Sequence, residues 1–152
     1  MTKISFINEI GVIIKCFALA YGYKYPSAII AMAILESNYG ASLLSSKYHN
    51  YFGMKCCSSW KGGSINLATK EEYTAGTLTP IRDNFRTYPD IFSGVLGHFD
   101  FLKYSRYSNL KDATSPRDYL EKIVKDGYCT STKYVNSCMT LIDKWNLTEF
   151  DK

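Results

Sequence analysis

The sequence is poor in the residue patterns that build metal sites and disulfide frameworks. It has only two histidines, His49 and His98, and its five cysteines include no CxxC pair. An odd number of cysteines without paired spacing indicates no disulfide framework, and two isolated histidines give no zinc-ligand pattern. Cys16 falls in an apolar helical pattern, where we expect a small core residue. We therefore expect no metal ion and no other cofactor.

Long apolar runs and basic runs are also missing. The apolar N-terminal segment, residues 6–20, is shorter than a membrane span and is interrupted by Asn8, Glu9 and Lys15. It also lacks the basic start and continuous apolar core of a secretory signal, so we expect no membrane association and no signal peptide in this chain. The lysines and arginines give a net charge of +4 but are scattered, which argues against nucleic-acid binding.

The composition indicates one compact unit. At 152 residues, with 46% hydrophobic and 21% charged residues and no repeats or linkers, the chain predicts a single domain over residues 1–152, acting as a monomer. Aromatic residues are abundant, at 15% of the chain. Tyrosine and tryptophan rings combine an apolar face with a polar tip, which suits stacking on sugars as well as core packing.

Helical periodicity dominates both ends of the chain. Apolar residues recur at three- and four-residue steps near the N-terminus, and Pro26-Ser27 suits the first turn of a second helix for which Gly40 offers a stop. After the middle of the chain, Phe92 begins an apolar stripe that continues at Val95 and Phe99. Helices are predicted over residues 4–20, 26–37, 92–102, 116–124 and 131–145.

The middle of the chain has a different character. Residues 51–88 contain two β-like runs, 64–73 and 77–88, separated by Ala75-Gly76. They predict a small hairpin or three-stranded sheet inserted between helices. The fold class is therefore mainly α with a small β-lobe (α+β), the lobe covering about residues 51–88.

Glu36 is the main candidate for chemistry, at the end of the second helix in the segment ILESNYG. The apolar residues before it predict partial burial, which disfavours the charged carboxylate, and the negative end of the helix dipole acts in the same direction. Both effects predict a raised pKa for Glu36, as a proton donor to a glycosidic oxygen requires. The alternative is a solvent-facing glutamate at a frayed helix end.

Glycoside cleavage usually needs a second carboxylate, and the β-lobe supplies candidates. The segment TKEEY contains Glu71 and Glu72. Neighbours in a strand point to opposite faces, so only one of the two can face the same cleft as Glu36. Further candidates are Asp83, Asp90 and Asp100.

Six segments in collinear order carry a family resemblance: PSAIIAMAILESNYG, HNYFGMKC, WKGG, TKEEYTAG, DNFRTY and GYCTSTKYVN. Together they resemble the N-acetylglucosaminidase domains of glycoside hydrolase family 73, over nearly the whole chain. The resemblance implies a lysozyme-like fold with a β-lobe. It also implies an endo-β-N-acetylglucosaminidase whose partner is the β-1,4-linked glycan of bacterial peptidoglycan, reached by phage-type release or by secretion within a longer protein.

The resemblance also implies residue roles. Glu36 matches the general acid, and Glu72, directly before a tyrosine, matches the second acidic residue. An inverting water attack assisted by Glu72 and participation of the substrate's 2-acetamido group both fit this pair. The family commonly has alanine where Cys129 stands. The substrate-binding residues that we predict are Asn50, Phe52, Trp60, Tyr128 and Tyr134, of which the tyrosines and Trp60 could instead be packing residues.

Three alternatives stay open from the sequence. The first is an N-acetylmuramidase with the same fold. The second is a cysteine amidase or peptidase in which Cys56 or Cys57 works with His98. The third is a non-catalytic wall-binding module, given the aromatic content and the positive charge.

Overall fold

The computed structural model describes residues 1–74 and 76–152, apart from the side chains of residues 71–74. The described chain is mainly helical with one hairpin, so the predicted α+β class is confirmed. Two short 3-10 helices, which the sequence did not predict, follow α4 and α6. The elements are α1 (Lys3–Tyr21), α2 (Pro26–Ser37), α3 (Leu43–Ser46), β1 (Ser64–Thr74), β2 (Thr77–Arg86), α4 (Ile91–Phe101), a 3-10 helix (Ser105–Asp112), α5 (Pro116–Lys125), α6 (Tyr134–Trp145) and a 3-10 helix (Leu147–Asp151).

Helix α2 lies at the centre of the core, as its almost uniformly apolar sequence predicts. Every residue from Pro26 to Ile34 is buried. A helix that is apolar on all sides must be packed on all sides, and α1, α5, α6 and the C-terminal 3-10 helix surround it. At its N-terminus the Ser27 hydroxyl donates to Asp151 Oδ2 at 2.6 Å, which ties the start of α2 to the end of the chain.

Helix α1 packs one face against α2, through residues that include Phe6, Ile10 and Ile14. Cys16 is exposed, so the prediction that it is a core residue is wrong. It is two residues from Ile14, about 200° around the helix and therefore on the opposite face. By length and composition alone, α1 could cross a membrane, a test that N-terminal signals and soluble core helices also pass.

The hairpin is a two-stranded antiparallel sheet, as predicted. Its register pairs Ser64 with Arg86 at the base and Glu71 with Thr79 near the tip. In place of a third strand, the described chain has one isolated bridge, between Lys55 and Phe85. The Arg86 Nε donates to the Lys55 carbonyl oxygen at 3.0 Å, which fixes the base of the hairpin to the preceding loop.

The C-terminal half follows the predicted helices with two differences. Ser115 caps α5 as predicted, accepting from the Asp118 backbone N–H at 3.0 Å. Helix α6 begins at Tyr134, later than the predicted residue 131. In α4, Phe92 is 61% exposed, so its predicted place on the buried face is wrong. His98 is fully buried there instead, with its ring stacked on Phe52.

Candidate active site

Glu36 lies in the last turn of α2, just before the chain changes direction sharply. Asn38 adopts a left-handed conformation with φ of 48°, which stops the helix. The buried Ser37 hydroxyl donates to the Ala33 carbonyl oxygen at 2.6 Å and accepts from the Gly40 backbone N–H at 2.9 Å. These two bonds hold the last turn of α2, which places Glu36 at the negative end of the helix dipole.

Glu36 faces an open cleft of about 710 Å³. Ligand-binding clefts commonly have volumes of roughly 300–1,000 Å³. The cleft lies between the end of α2, helix α3, the hairpin and the segment before α6. It is lined by Glu36, Ser42, Leu43, Leu44, Gly53, Leu67, Ala68, Thr69, Lys70, Leu78, Arg82, Phe85, Cys129, Thr130, Ser131 and Tyr134.

Glu36 is exposed to this cleft rather than partly buried. The partial burial that the apolar sequence predicts for Glu36 is therefore wrong. The negative end of the helix dipole disfavours the charged carboxylate even without a ligand. A glycan that fills the cleft would add a second effect, because it would exclude water from the carboxylate.

The tyrosines near Glu36 lie beneath the cleft. Burial raises the pKa of Tyr128 and of Tyr134 well above the usual value, and the negative charge of Glu36 raises both further. Burial and Glu36 also raise the pKa of the Cys138 thiol to about 12. These groups stay protonated at neutral pH. Tyr134 lines the cleft, and apart from the adjacent Cys138 its buried hydroxyl has no hydrogen-bond partner among the described residues.

Asn50 and Phe52 lie behind the cleft wall. Asn50 is 2% exposed, and its amide donates to the carbonyl oxygens of Met54 and Arg86 at 2.9 and 2.8 Å and accepts from the Met54 N–H at 2.9 Å. Phe52 is buried and stacks on His98 with ring centroids 3.8 Å apart. Both residues hold the loop before the hairpin in place, and neither lines the cleft.

Trp60 supports the base of the hairpin. Its indole Nε1 donates to the Gly63 carbonyl oxygen at 2.9 Å, and the guanidinium of Arg86 lies 4.7 Å from its ring centroid. Trp60 is half-buried and does not line the cleft. Of the five predicted substrate-binding residues, only Tyr134 is therefore at the cleft surface, with Tyr128 directly behind it.

The candidates for a second carboxylate differ in their surroundings. The side chains of Glu71 and Glu72 lie outside the described residues. Asp83 pairs with Lys55 at 3.2 Å, and Asp100 pairs with Lys103 at 3.0 Å. Asp90 caps α4 by accepting from the Ser93 N–H at 2.8 Å. Each of the three aspartates thus has a structural partner.

The structure describes no Cys–His pair that could act as a thiol nucleophile and base. Burial lowers the pKa of His98 to about 3, and neither ring nitrogen has a hydrogen-bond partner among the described residues. The Cys57 thiol lies 3.0 Å from Ser59 Oγ and 3.5 Å from Arg86 Nη2. No group of three or more metal-ligating side chains gathers in the described part of the chain.

Several cleft residues carried no signal in the sequence. Leu43 and Leu44 are ordinary apolar residues of a short helix, and Thr69 is one of several strand threonines. Lys70 and Arg82 belong to the scattered cations. Strand alternation within the predicted hairpin could have placed these residues on one face or the other, but it could not show which face meets α2.

Comparison with known proteins gives one family. The family model described as mannosyl-glycoprotein endo-beta-N-acetylglucosaminidase (glucosaminidase) matches residues 14–147. The exo-glucosaminidase LytG of Bacillus subtilis is 29% identical over 84% of this chain and 46% of its own length. A probable N-acetylmuramidase of Lactococcus lactis subsp. cremoris is 33% identical over 97% of this chain and 35% of its own length. The chain thus spans less than half the length of these relatives.

Solved structures share the fold. The catalytic domain of the autolysin Auto from Listeria monocytogenes is 29% identical with a TM-score of 0.78, covering 97% of this chain and 86% of that one. An N-acetylmuramoyl-L-alanine amidase from Staphylococcus aureus is 28% identical with a TM-score of 0.86, covering 99% of this chain and 43% of that one. These similarities confirm the lysozyme-like fold and the resemblance that the six sequence segments carry.

Proposed function

The chain belongs to the glucosaminidase family of glycoside hydrolases, and from this premise we propose that it is an endo-β-N-acetylglucosaminidase acting on bacterial peptidoglycan. The bond cleaved is the β-1,4 link that follows N-acetylglucosamine in the glycan backbone. Residues 1–152 would act as one catalytic domain and as a monomer. The relatives named autolysin and exo-glucosaminidase support the cell wall as its place of action, reached by phage-type release or within a longer secreted protein.

The observation that carries the proposal is the position of Glu36. Its carboxyl group stands at the negative end of α2 and faces a cleft large enough for several sugar rings. When a glycan strand excludes water from the cleft, the neutral acid is favoured over the carboxylate. The protonated Glu36 then donates its proton to the glycosidic oxygen as the bond to the anomeric carbon breaks.

The second half of the reaction needs a nucleophile on the opposite side of the sugar. We propose Glu72 as the residue that activates a water molecule, with the 2-acetamido group of the substrate as the alternative nucleophile. Tyr134 keeps its phenol protonated because burial raises its pKa, and with its hydroxyl buried it would offer the substrate an uncharged cleft wall near Glu36.

A muramidase is the second candidate, because relatives from Lactococcus lactis are named probable N-acetylmuramidases. Both activities need the same acid and the same cleft. They differ only in which sugar occupies the position on the glycosyl side of the cut bond.

Product analysis separates the candidates. Purified peptidoglycan is digested, the new ends are reduced, and the fragments are identified by mass spectrometry. Reduced N-acetylglucosamine at the new end is expected, reduced N-acetylmuramic acid would identify a muramidase, and release of peptides without new reducing ends would exclude both. Oligosaccharide products are expected from an endo enzyme, and single sugars from an exo enzyme.

Substitution of Glu36 tests the role of the acid. Glu36→Gln should keep the fold and lower the rate of glycan cleavage by about 10²–10⁴-fold, because an amide cannot donate the proton. Glu121→Gln is the matched control, since Glu121 is exposed on α5 and pairs only weakly with Arg117, at 3.8 Å. Normal cleavage by the Glu36 variant would exclude Glu36 as the acid.

A further inference from the structure

Two cations share one face of the hairpin beside the cleft. Arg82 pairs with Ala68 across the hairpin, and Lys70 lies two residues beyond Ala68 on β1. Residues two apart in a strand point to the same face, so Lys70 and Arg82 are diagonal cross-strand neighbours, within reach of one ligand. Both residues line the cleft that contains Glu36.

Arg82 is held in position by its neighbours on the hairpin. Its Nε donates to Asn66 Oδ1 at 2.9 Å and its Nη2 donates to the Asn66 carbonyl oxygen at 3.3 Å. The Asn66 amide in turn donates to Asn84 Oδ1 at 3.0 Å. These bonds occupy one edge of the planar guanidinium. Its other edge has no acceptor among the described residues and is available for a planar anion such as a carboxylate.

Neither Lys70 nor Arg82 forms an ion pair with a side chain that the structure describes. Like charges at neighbouring positions of a sheet repel each other. A bound anion would remove this repulsion. The arrangement therefore favours an anionic group on whatever lies in the cleft.

We propose that Arg82 and Lys70 bind a carboxylate of the peptide stem on the muramyl residues of the substrate. This inference rests on the proposed function. A stem peptide is attached to every second sugar of the glycan strand, so its attachment point lies at a fixed distance from the bond that is cut and its carboxylates lie within a few residues of that point. Phosphates of other wall polymers have no such fixed relation to the strand in the cleft. The pair would make the enzyme select peptide-bearing glycan over bare glycan.

The test compares two substrates. Soluble glycan strands that bear peptides, free of other wall polymers, are assayed beside the same strands after an amidase has removed the peptides and the lactyl carboxylates that this exposes have been converted to neutral amides. The wild type should have the higher kcat/KM on the peptide-bearing strands. In the variant Arg82→Gln/Lys70→Gln, the ratio of the two kcat/KM values should fall about fivefold, mainly through KM, because exposed charge pairs contribute modestly to binding.

Controls separate charge from folding. Lys24→Gln removes an exposed cation from the loop between α1 and α2, outside the cleft, and should keep the wild-type ratio. Arg82→Lys retains the charge and should keep most of the preference, whereas a folding defect would lower both rates together. Added salt should reduce the wild-type preference towards that of the double variant.

Three results would overturn the inference. Equal efficiency of the wild type on both substrates, or an unchanged ratio in the double variant, would mean that the cations do not recognise the stem while the proposed glycosidase function stands. An effect of the double substitution that appears only when phosphate-bearing wall polymer is present would assign the pair to that polymer instead. Failure of the wild type to cut either substrate would instead reject the proposed function itself.

Discussion

Gly53 lies directly against the carboxylate of Glu36: a Cβ atom at position 53 would come 3.0 Å from Glu36 Oε2. The φ of Gly53 is +65°, a left-handed conformation that glycine adopts without the penalty other residues pay. The backbone of the turn before the hairpin can approach the Glu36 carboxylate this closely because Gly53 has no side chain. The position thus serves both the turn and the site.

Gly53→Ala tests this relationship. We expect a loss of activity of about tenfold or more, since small displacements of a catalytic group are costly, together with a destabilisation of about 1 kcal/mol from the left-handed backbone. Gly22→Ala is the matched control, because Gly22 has φ of +84° and a Cβ there would have no neighbour within 4 Å. Thermal melting and glycan cleavage are measured for both. Equal losses of activity would mean that only backbone strain matters.

The second carboxylate is tested at the tip of the hairpin. Glu72→Gln should lower the rate of glycan cleavage more than Glu71→Gln, because adjacent strand residues face opposite sides and the family pattern favours the residue before Tyr73. Each variant serves as the control for the other, since both lose one charge at the same place. The reverse order would assign the role to Glu71.

Asn50 is predicted to matter for stability more than for substrate contact. Asn50→Ala leaves the Met54 N–H and the Arg86 carbonyl oxygen without this partner, whereas the Met54 carbonyl oxygen still accepts from the Arg86 N–H, so we expect a loss of about 3 kcal/mol in the free energy of unfolding. Urea denaturation measures the loss, and Asn8→Ala on the exposed side of α1 is the control. A fully stable Asn50→Ala variant with impaired KM would instead indicate a substrate contact.

Much of the fold could be predicted from local patterns. The apolar run after Pro26 and the polar hairpin runs carry their periodicity in the sequence, so α2 and the hairpin were predicted with nearly correct ends. Burial is wrongly predicted for Phe92 and Cys16, because the apolar character of a residue in a helix does not show whether its side chain lies on the buried or the exposed face. Which stripe of a helix is buried depends on the elements packed against it, here α2.

The site was only partly predictable. Glu36 could be found because a lone carboxylate at the end of an apolar helix is unusual. The resemblance placed Asn50 and Phe52 near the cleft, but a motif shows that a turn recurs and not whether its side chains face the substrate or the core. Arg82 carries no such signal in the sequence, because its orientation depends on a cross-strand neighbour, Asn66, sixteen residues away.

The thiols should be dispensable for activity. Neighbouring Ser59, Tyr104 and Arg86 lower the pKa of the exposed Cys57 thiol to about 7, so half of it is thiolate near neutral pH. We expect iodoacetamide to label Cys57 at a rate that rises through pH 7, followed by mass spectrometry of the peptides. Cys56→Ser/Cys57→Ser should cut glycan at the wild-type rate. Loss of cleavage in that variant would revive the thiol-enzyme alternative.

His98 should make stability depend on pH. Burial lowers its pKa to about 3, whereas in the unfolded chain the ordinary value is about 6.5. Between these values the unfolded chain binds a proton that the folded protein does not, so stability falls as the pH decreases through this window. The contribution of His98 to unfolding free energy should decrease by about 2 kcal/mol between pH 7 and pH 5.

The variant His98→Phe isolates this contribution. A phenyl ring can keep the stacking on Phe52, and it removes two buried ring nitrogens that have no partner among the described residues. The variant should therefore be at least as stable as the wild type at pH 7 and lose less stability on acidification. Urea denaturation at both pH values measures the difference, and His49→Gln should keep the wild-type slope because it leaves His98 buried. The other titrating groups are the same in both proteins, so they contribute equally to the change of unfolding free energy with pH. If this change is identical in wild type and His98→Phe, the folded wild type must protonate His98 as readily as the unfolded chain does. That result would mean that water reaches His98.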